Sequence, residues 1–189
     1  MKVSRQQAQA NHEAIVAAAG ALFRERGFEG VGLAEIMQQA GLTHGGFYGH
    51  FASKDELAAA AAEQAIASKR TAWARLLEGT VRRPLARFAE LYLSKKHVAD
   101  AANGCAFAAL AGEAARQPPA VRAVFAQGMR DYVAMLEPIM PARTAKARRR
   151  EAIAMLCGLV GALTLARAVD DPVLADEVLA TAIAGFTPS

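Results

Sequence analysis

Two cysteines and four histidines are the side chains of this sequence that could carry covalent or metal chemistry, and their spacing argues against both. Cys105 and Cys157 lie far apart with no Cys-x-x-Cys pair, which fits a reducing cytoplasm rather than a disulfide framework or a thiolate metal site. None of His12, His44, His50 and His97 has a Glu three residues before it, so the Glu-x-x-His pairs that build di-metal centres in helical bundles are missing. Cys105 with His97 is the one conceivable nucleophile and base, and no hydrolase signature accompanies it. The expectation is a protein that is not an enzyme and that needs no cofactor or metal. Cys105 keeps one reactive alternative. It opens a predicted helix in the run Asn103-Gly104-Cys105, where the dipole lowers a thiol pKa and favours the thiolate that an electrophile or oxidant attacks. The plainer reading of Cys105 is a small buried hydrophobe.

A different kind of chemistry is concentrated in Thr43-His44-Gly45-Gly46-Phe47-Tyr48-Gly49-His50-Phe51, where small polar groups and bare backbone alternate with aromatic rings. The elements around it set what it can do. From Gln9 to Arg26, Ile15, Ala18, Leu22 and Phe23 recur at three-to-four spacing, which predicts an amphipathic helix stopped by Gly27, with Phe28 as a plug. Leu33 to Ala40 predicts a second, short helix ending at Gly41. Across the turn Gly41-Leu42-Thr43, Thr43 is placed to cap a third helix of about seven residues. Phe47 and Phe51 are four apart and must anchor that helix, leaving His44, Gly45, Tyr48 and Gly49 on its outer side. Ser53 then caps a long fourth helix, Lys54 to about Glu78, with Glu56 at the capping-box position. Two short helices joined by a Gly-containing turn and packed on a longer one form a helix-turn-helix, here at about residues 32–51, whose second helix can enter a major groove.

Beyond the break at Gly79 and Pro84 the pattern predicts helices at about 84–97, 104–116, 119–137, 145–168 and 172–186, separated by Asn103-Gly104, Pro118-Pro119, Pro138 with Pro141, and Asp170-Asp171-Pro172. The fold class is therefore all-α, about nine helices in total, and 189 residues let each half bury its own core. The formal charge of +4 suits a nucleic-acid binder, yet in the first fifty residues Lys2, Arg5, Arg24 and Arg26 are balanced by Glu13, Glu25, Glu29 and Glu35. DNA affinity must then come from local placement, and a neutral, glycine-bearing head also fits a protein-interaction module that does not bind DNA. The N-terminal stretch MKVSRQQAQANHE carries no apolar signal core. Ala152 to Ala166 is apolar for fifteen residues, short of the about 20 that a bilayer needs, so a buried helix is expected and no membrane partner.

The run AIVAAAGALFRERGFEGVGLAEIMQQAGLTHGGFYGHFASKDEL resembles the N-terminal signature of the tetracycline-repressor (TetR) family along its whole length. The resemblance implies a DNA-binding domain over residues 9–69 and a helical ligand-binding and dimerisation domain over residues 70–189. It carries contacts to double-stranded operator DNA onto Thr43, His44, Gly45, Gly46, Tyr48 and His50, and a phosphate contact onto Lys54. The chemistry agrees: a Thr hydroxyl, free amides at a helix start and a Tyr hydroxyl donate to phosphate, and an ammonium adds charge. His44 is the long polar side chain early on the recognition helix and is expected to reach a base edge. Where the family usually caps its second helix with Ser or Thr this chain has Gly32, which leaves only a backbone amide for that phosphate. Gly45 and Gly46 each cost about 1 kcal/mol of helix stability relative to Ala.

The resemblance further implies an effector cavity after Gly79, a homodimer and a small-molecule effector. Candidates for the cavity are Trp73, Phe88, Tyr92, Cys105, Phe107, Leu110, Phe125, Met129, Tyr132 and Met135, an apolar set that suits a hydrophobic or aromatic ligand and is equally the make-up of plain core. The Ala152–Ala166 helix is uncharged all round and must be covered on every side. With the last helix it predicts a two-fold interface using Met155, Gly158, Leu159, Gly161, Ala162, Leu165, Leu179 and Ile183. Arg143, Lys146, Arg148, Arg149 and Arg150 read as a solvated start to the eighth helix.

Overall fold

In the computed structural model, which describes residues 4–79 and 82–186, the Ser4 hydroxyl accepts the Gln7 N–H at 3.1 Å and starts α1 (Arg5–Arg26) earlier than the apolar spacing predicts. Residues 1–3 of the stretch read for a signal lie outside the described residues. Ile15, Ala19, Leu22 and Phe23 are buried on one face of α1. Gly27 ends it at φ 79°, a left-handed backbone that favours glycine, and a Cβ there would press on the Glu113 carboxylate. Next, α2 (Leu33–Gln39) buries Ile36 and Met37 against α1, and Gly41 turns the chain at φ 72° as expected.

The third helix is present but wound differently. His44–Gly49 forms a 3-10 turn, η1, rather than an α-helix. Three glycines in six residues cannot hold the longer ladder, and the tighter turn keeps Gly46 N–H on the Thr43 carbonyl at 3.0 Å. Thr43 stands at the cap position with extended backbone, but its side chain makes no capping hydrogen bond, contrary to expectation. Ser53 does cap α3 (Lys54–Leu77): its hydroxyl accepts the Glu56 N–H at 3.1 Å, and Glu56 reaches back to the Ala52 N–H at 2.7 Å.

α3 runs without a break along α1 and then along α7 (Pro119–Leu136), and so links the N-terminal head to the rest. The helix predicted at 84–97 is two: α4 (Pro84–Tyr92) stops at Leu93, and Ser94 caps α5 (Lys95–Ala99) through the His97 N–H at 3.3 Å. α6 (Ala106–Ala114) begins after Gly104 and Cys105, and a short 3-10 turn, η2 (Glu137–Ile139), follows α7. α8 (Ala145–Ala168) and α9 (Pro172–Phe186) match their predicted spans and pack on one another. The described residues thus hold nine α-helices, two 3-10 turns and no strand. α8 is long and apolar enough to cross a membrane by length and composition, with 39% of its most apolar window buried within the chain.

Candidate nucleic-acid interface and regulatory region

The outer face of the helix-turn-helix is held from behind by aromatic rings. Phe47 is fully buried, Phe51 nearly so, and their rings lie 5.9 Å apart. His12 of α1 stacks on Phe51 at 4.5 Å and sits 6.3 Å from the His50 ring, a support that the sequence reading missed. In front of this wedge Thr43, His44, Gly45, Gly46 and Gly49 are exposed, and Tyr48 is 70% exposed with its ring edge-on to Phe47 at 5.2 Å. His50 is half-buried, with its backbone N–H on the Phe47 carbonyl at 2.9 Å. Gly32 caps α2 with extended backbone and open space where a side chain would be. Lys54, half-buried, opens α3 beside these residues. Of the eight positions expected to meet DNA, Gly32, Thr43, His44, Gly45, Gly46 and Tyr48 are exposed, while His50 and Lys54 are half-buried.

The head is tied to the helices behind it at two points. Glu113 of α6 accepts the Phe28 N–H at 2.8 Å, just beyond the end of α1. Arg24 of α1 donates to the Ala102 carbonyl at 2.6 Å, in the loop between α5 and α6. That loop is fixed from other sides as well. Arg167 of α8 donates to the carbonyls of His97 and Val98, and Asp100 accepts from the backbone and side chain of Asn103 at 3.1 and 3.0 Å. Those bonds hold the Asp100 carboxyl below its ordinary pKa. His97 is the buried clasp: its Nε2 accepts the Cys105 N–H at 3.0 Å, which assigns the proton to Nδ1, donating to the Tyr92 carbonyl at 2.6 Å. Burial lowers its pKa to about 4, so the imidazole is neutral at pH 7.

Cys105 is the small buried hydrophobe of the plainer reading, not the reactive thiol of the alternative. It is completely buried, and desolvation raises its pKa despite the nearby Tyr92 side chain and the amides of Phe107 and Ala108. The helix-start argument fails because burial penalises the thiolate more than those dipoles favour it. Cys157, on α8, is the exposed thiol.

The aromatic residues named for an effector pocket pack on each other. Trp73 lies 5.4 Å from Phe88, 4.6 Å from Tyr92 and 5.8 Å from Tyr132, while Phe107 meets Phe125 and Tyr132 at 5.4 and 5.5 Å. Leu110 is buried with them; Met129 is 38% exposed on α7. Beside Trp73 opens a cavity of about 190 Å3, lined also by Lys69, Leu76, Leu91, Ser94, Lys96, His97, Asp100 and Asn103. Of these only Trp73 belongs to the expected set; Lys69 and Leu76 share its side of α3, and the rest come from α4, α5 and the segments around α5, which only the fold brings together.

On α8 and α9, Met155, Leu159, Ala162 and Leu179 face the chain's own core. Gly158 lies under Phe186, where a Cβ would come within 2.6 Å of that ring. Gly161 and Ile183 are half-buried, and Leu165 is 56% exposed. Ala154, Cys157, Leu165 and Ala168 are exposed along the outer side of α8, and Val173 is 78% exposed at the start of α9.

A three-helix head presenting a helix-turn-helix on a larger helical body defines a DNA-binding transcriptional regulator. Residues 15–61 match the family model described as bacterial regulatory proteins, tetR family. Solved structures share the fold over nearly the whole chain. The reduced form of Escherichia coli NemR is 22% identical, covering 94% of this chain and 95% of its own, with a TM-score of 0.78. A TetR-family transcriptional regulator from Agrobacterium tumefaciens is 21% identical over 96% of this chain and 100% of its own, TM-score 0.78. A TetR regulator from Chloroflexus aurantiacus is 24% identical over 94% of both, TM-score 0.77. Among curated proteins, none matches the chain.

Proposed function

We propose that the protein is a cytoplasmic repressor that binds a near-palindromic operator as a homodimer and is released by a small hydrophobic or aromatic effector. The observation that carries this reading is the exposed surface of Thr43, His44, Gly45, Gly46 and Tyr48 on a base fixed by Phe47 and Phe51. Residues 9–69 act as the DNA-binding domain and residues 70–189 as the ligand-binding and dimerisation domain. His44 reaches a base edge, while Tyr48, Thr43, Lys54 and the amides of Gly32, Gly45 and Gly46 hold phosphates, with His50 at the margin. So few side chains face the groove that two heads must bind together. The uncovered apolar side of α8, with Gly161 and Leu165, and the adjoining face of α9 support the dimer.

An effector that shifts the α5–α6 loop or tilts α3 changes the spacing of the two heads, because α3 runs from the head into the body and Arg24 grips the loop. A thiol-sensing mechanism through Cys105 finds no support in a completely buried thiol whose pKa is raised. The test is a gel shift on the upstream region of the protein's own gene: His44→Ala relaxes sequence preference, and Tyr48→Phe weakens binding to all sequences alike. Absence of binding at low salt removes the regulator reading.

A further inference from the structure

The cavity beside Trp73 is more polar than the expected pocket, and its charge is unbalanced. Two ammonium groups, Lys69 and Lys96, line it against one carboxylate, Asp100, whose Oδ1 is already occupied by Asn103. Lys69 is half-buried, makes no ion pair among the described residues, and has its ammonium 5.6 Å from the centre of the Trp73 ring. Burial lowers its pKa, Asp100 opposes that shift, and Arg24 and Arg167 add to it more weakly. His97 offers nothing further, since both ring nitrogens are engaged. The remaining wall is apolar: Trp73, Leu76 and Leu91.

Resting on the reading of the chain as ligand-responsive, we propose that this cavity binds a small aromatic carboxylate, its ring against Trp73 and the two leucines and its carboxylate on Lys69. The size fits one substituted ring. A cavity of roughly 150 Å3 accepts benzene, and here there are about 190 Å3. A single well-placed charge-assisted contact then decides between the anion and its neutral analogue. The position also suits control of the head. Lys96, His97, Asp100 and Asn103 belong to the segment whose Ala102 carbonyl is held by Arg24 of α1, so an occupant touches the connection between body and helix-turn-helix.

Trp73 is the sole tryptophan of the chain, and its fluorescence reports on the cavity directly. The full-length protein is titrated, without DNA, with benzoate, with benzyl alcohol and with inorganic phosphate. A saturable change with benzoate is expected, at least tenfold tighter than with either of the other two. Lys69→Met should weaken benzoate at least tenfold and leave benzyl alcohol unchanged, and Lys96→Gln, at an exposed position, should weaken benzoate severalfold even if the first variant does not fold. No saturable response to benzoate, equal binding of benzyl alcohol or phosphate, or unaltered benzoate binding in the folded variants overturns the proposal. Because no DNA is present, a failure of operator binding in a separate gel shift would remove the regulator reading and leave this result standing.

Discussion

Acidification should loosen the junction between head and body through one residue. His97 bridges the Tyr92 carbonyl and the Cys105 N–H only as the neutral imidazole, and its pKa in the fold is about 4. In the unfolded chain a histidine titrates near 6.5, so the unfolded state takes up the proton first. This contribution to stability is present in full above pH 6.5 and is lost as the pH falls toward 4. With those two pKa values the linkage relation gives a loss of about 2 kcal/mol by pH 5 and about 3 kcal/mol by pH 4. Other groups titrate over the same range, so the quantity to measure is a difference. His97→Gln removes the titration while retaining an amide that can bond in the same place. Urea unfolding followed by circular dichroism at pH 7 and pH 5 should find the wild type more stable than the variant at pH 7, with that gap narrowed by about 2 kcal/mol at pH 5. A gap that stays constant between the two pH values would refute the assignment of a neutral, clasping His97.

Three other expectations follow from contacts. Gly128→Ala places a Cβ 2.6 Å from Ile66 Cγ2 where α3 and α7 close on one another, and Ile66 is itself buried, so overpacking should cost roughly 1–3 kcal/mol in urea unfolding despite the gain in helix propensity. Leu165→Glu puts a charge on the exposed apolar side of α8 and should convert the proposed dimer to a folded monomer by light scattering, with far-UV circular dichroism unchanged. A maleimide applied to the native protein should leave Cys105 unlabelled until denaturant is added, as read by peptide mass spectrometry.

What the sequence disclosed follows the range of the forces involved. Gly27 and Gly41 mark helix ends because left-handed backbone is a local demand, and both take positive φ. Ser53 with Glu56 is a local exchange of hydrogen bonds and was legible for that reason. The glycines of the recognition helix showed its weakness but not the form it takes, a 3-10 turn with Phe47 buried beneath it. Ser94 is a capping signal that an apolar stripe running from Leu85 to Val98 obscures, so one predicted helix is in fact two. For Cys105 the plainer reading holds, and the reactive alternative fails because desolvation is set by residues distant in sequence. The cavity lay beyond reach for the same reason, since Lys69, Leu91, Lys96 and Asp100 meet only after folding. On α8, a helix apolar all round gives no sign of which side its own core takes, and the structure turns Met155, Leu159 and Ala162 inward while leaving Leu165 outside.

The central claim is that two copies of the His44–Gly49 surface, with Lys54 beside each, grip operator DNA. Fluorescence anisotropy with the upstream DNA of the protein's own gene, across a range of salt concentrations, tests it most directly. The wild type should bind with log affinity falling linearly against log salt, and Lys54→Gln should reduce that slope by about 2, close to one released counterion per subunit. Binding that is absent at low salt, or a slope that Lys54→Gln leaves unchanged, would contradict the account.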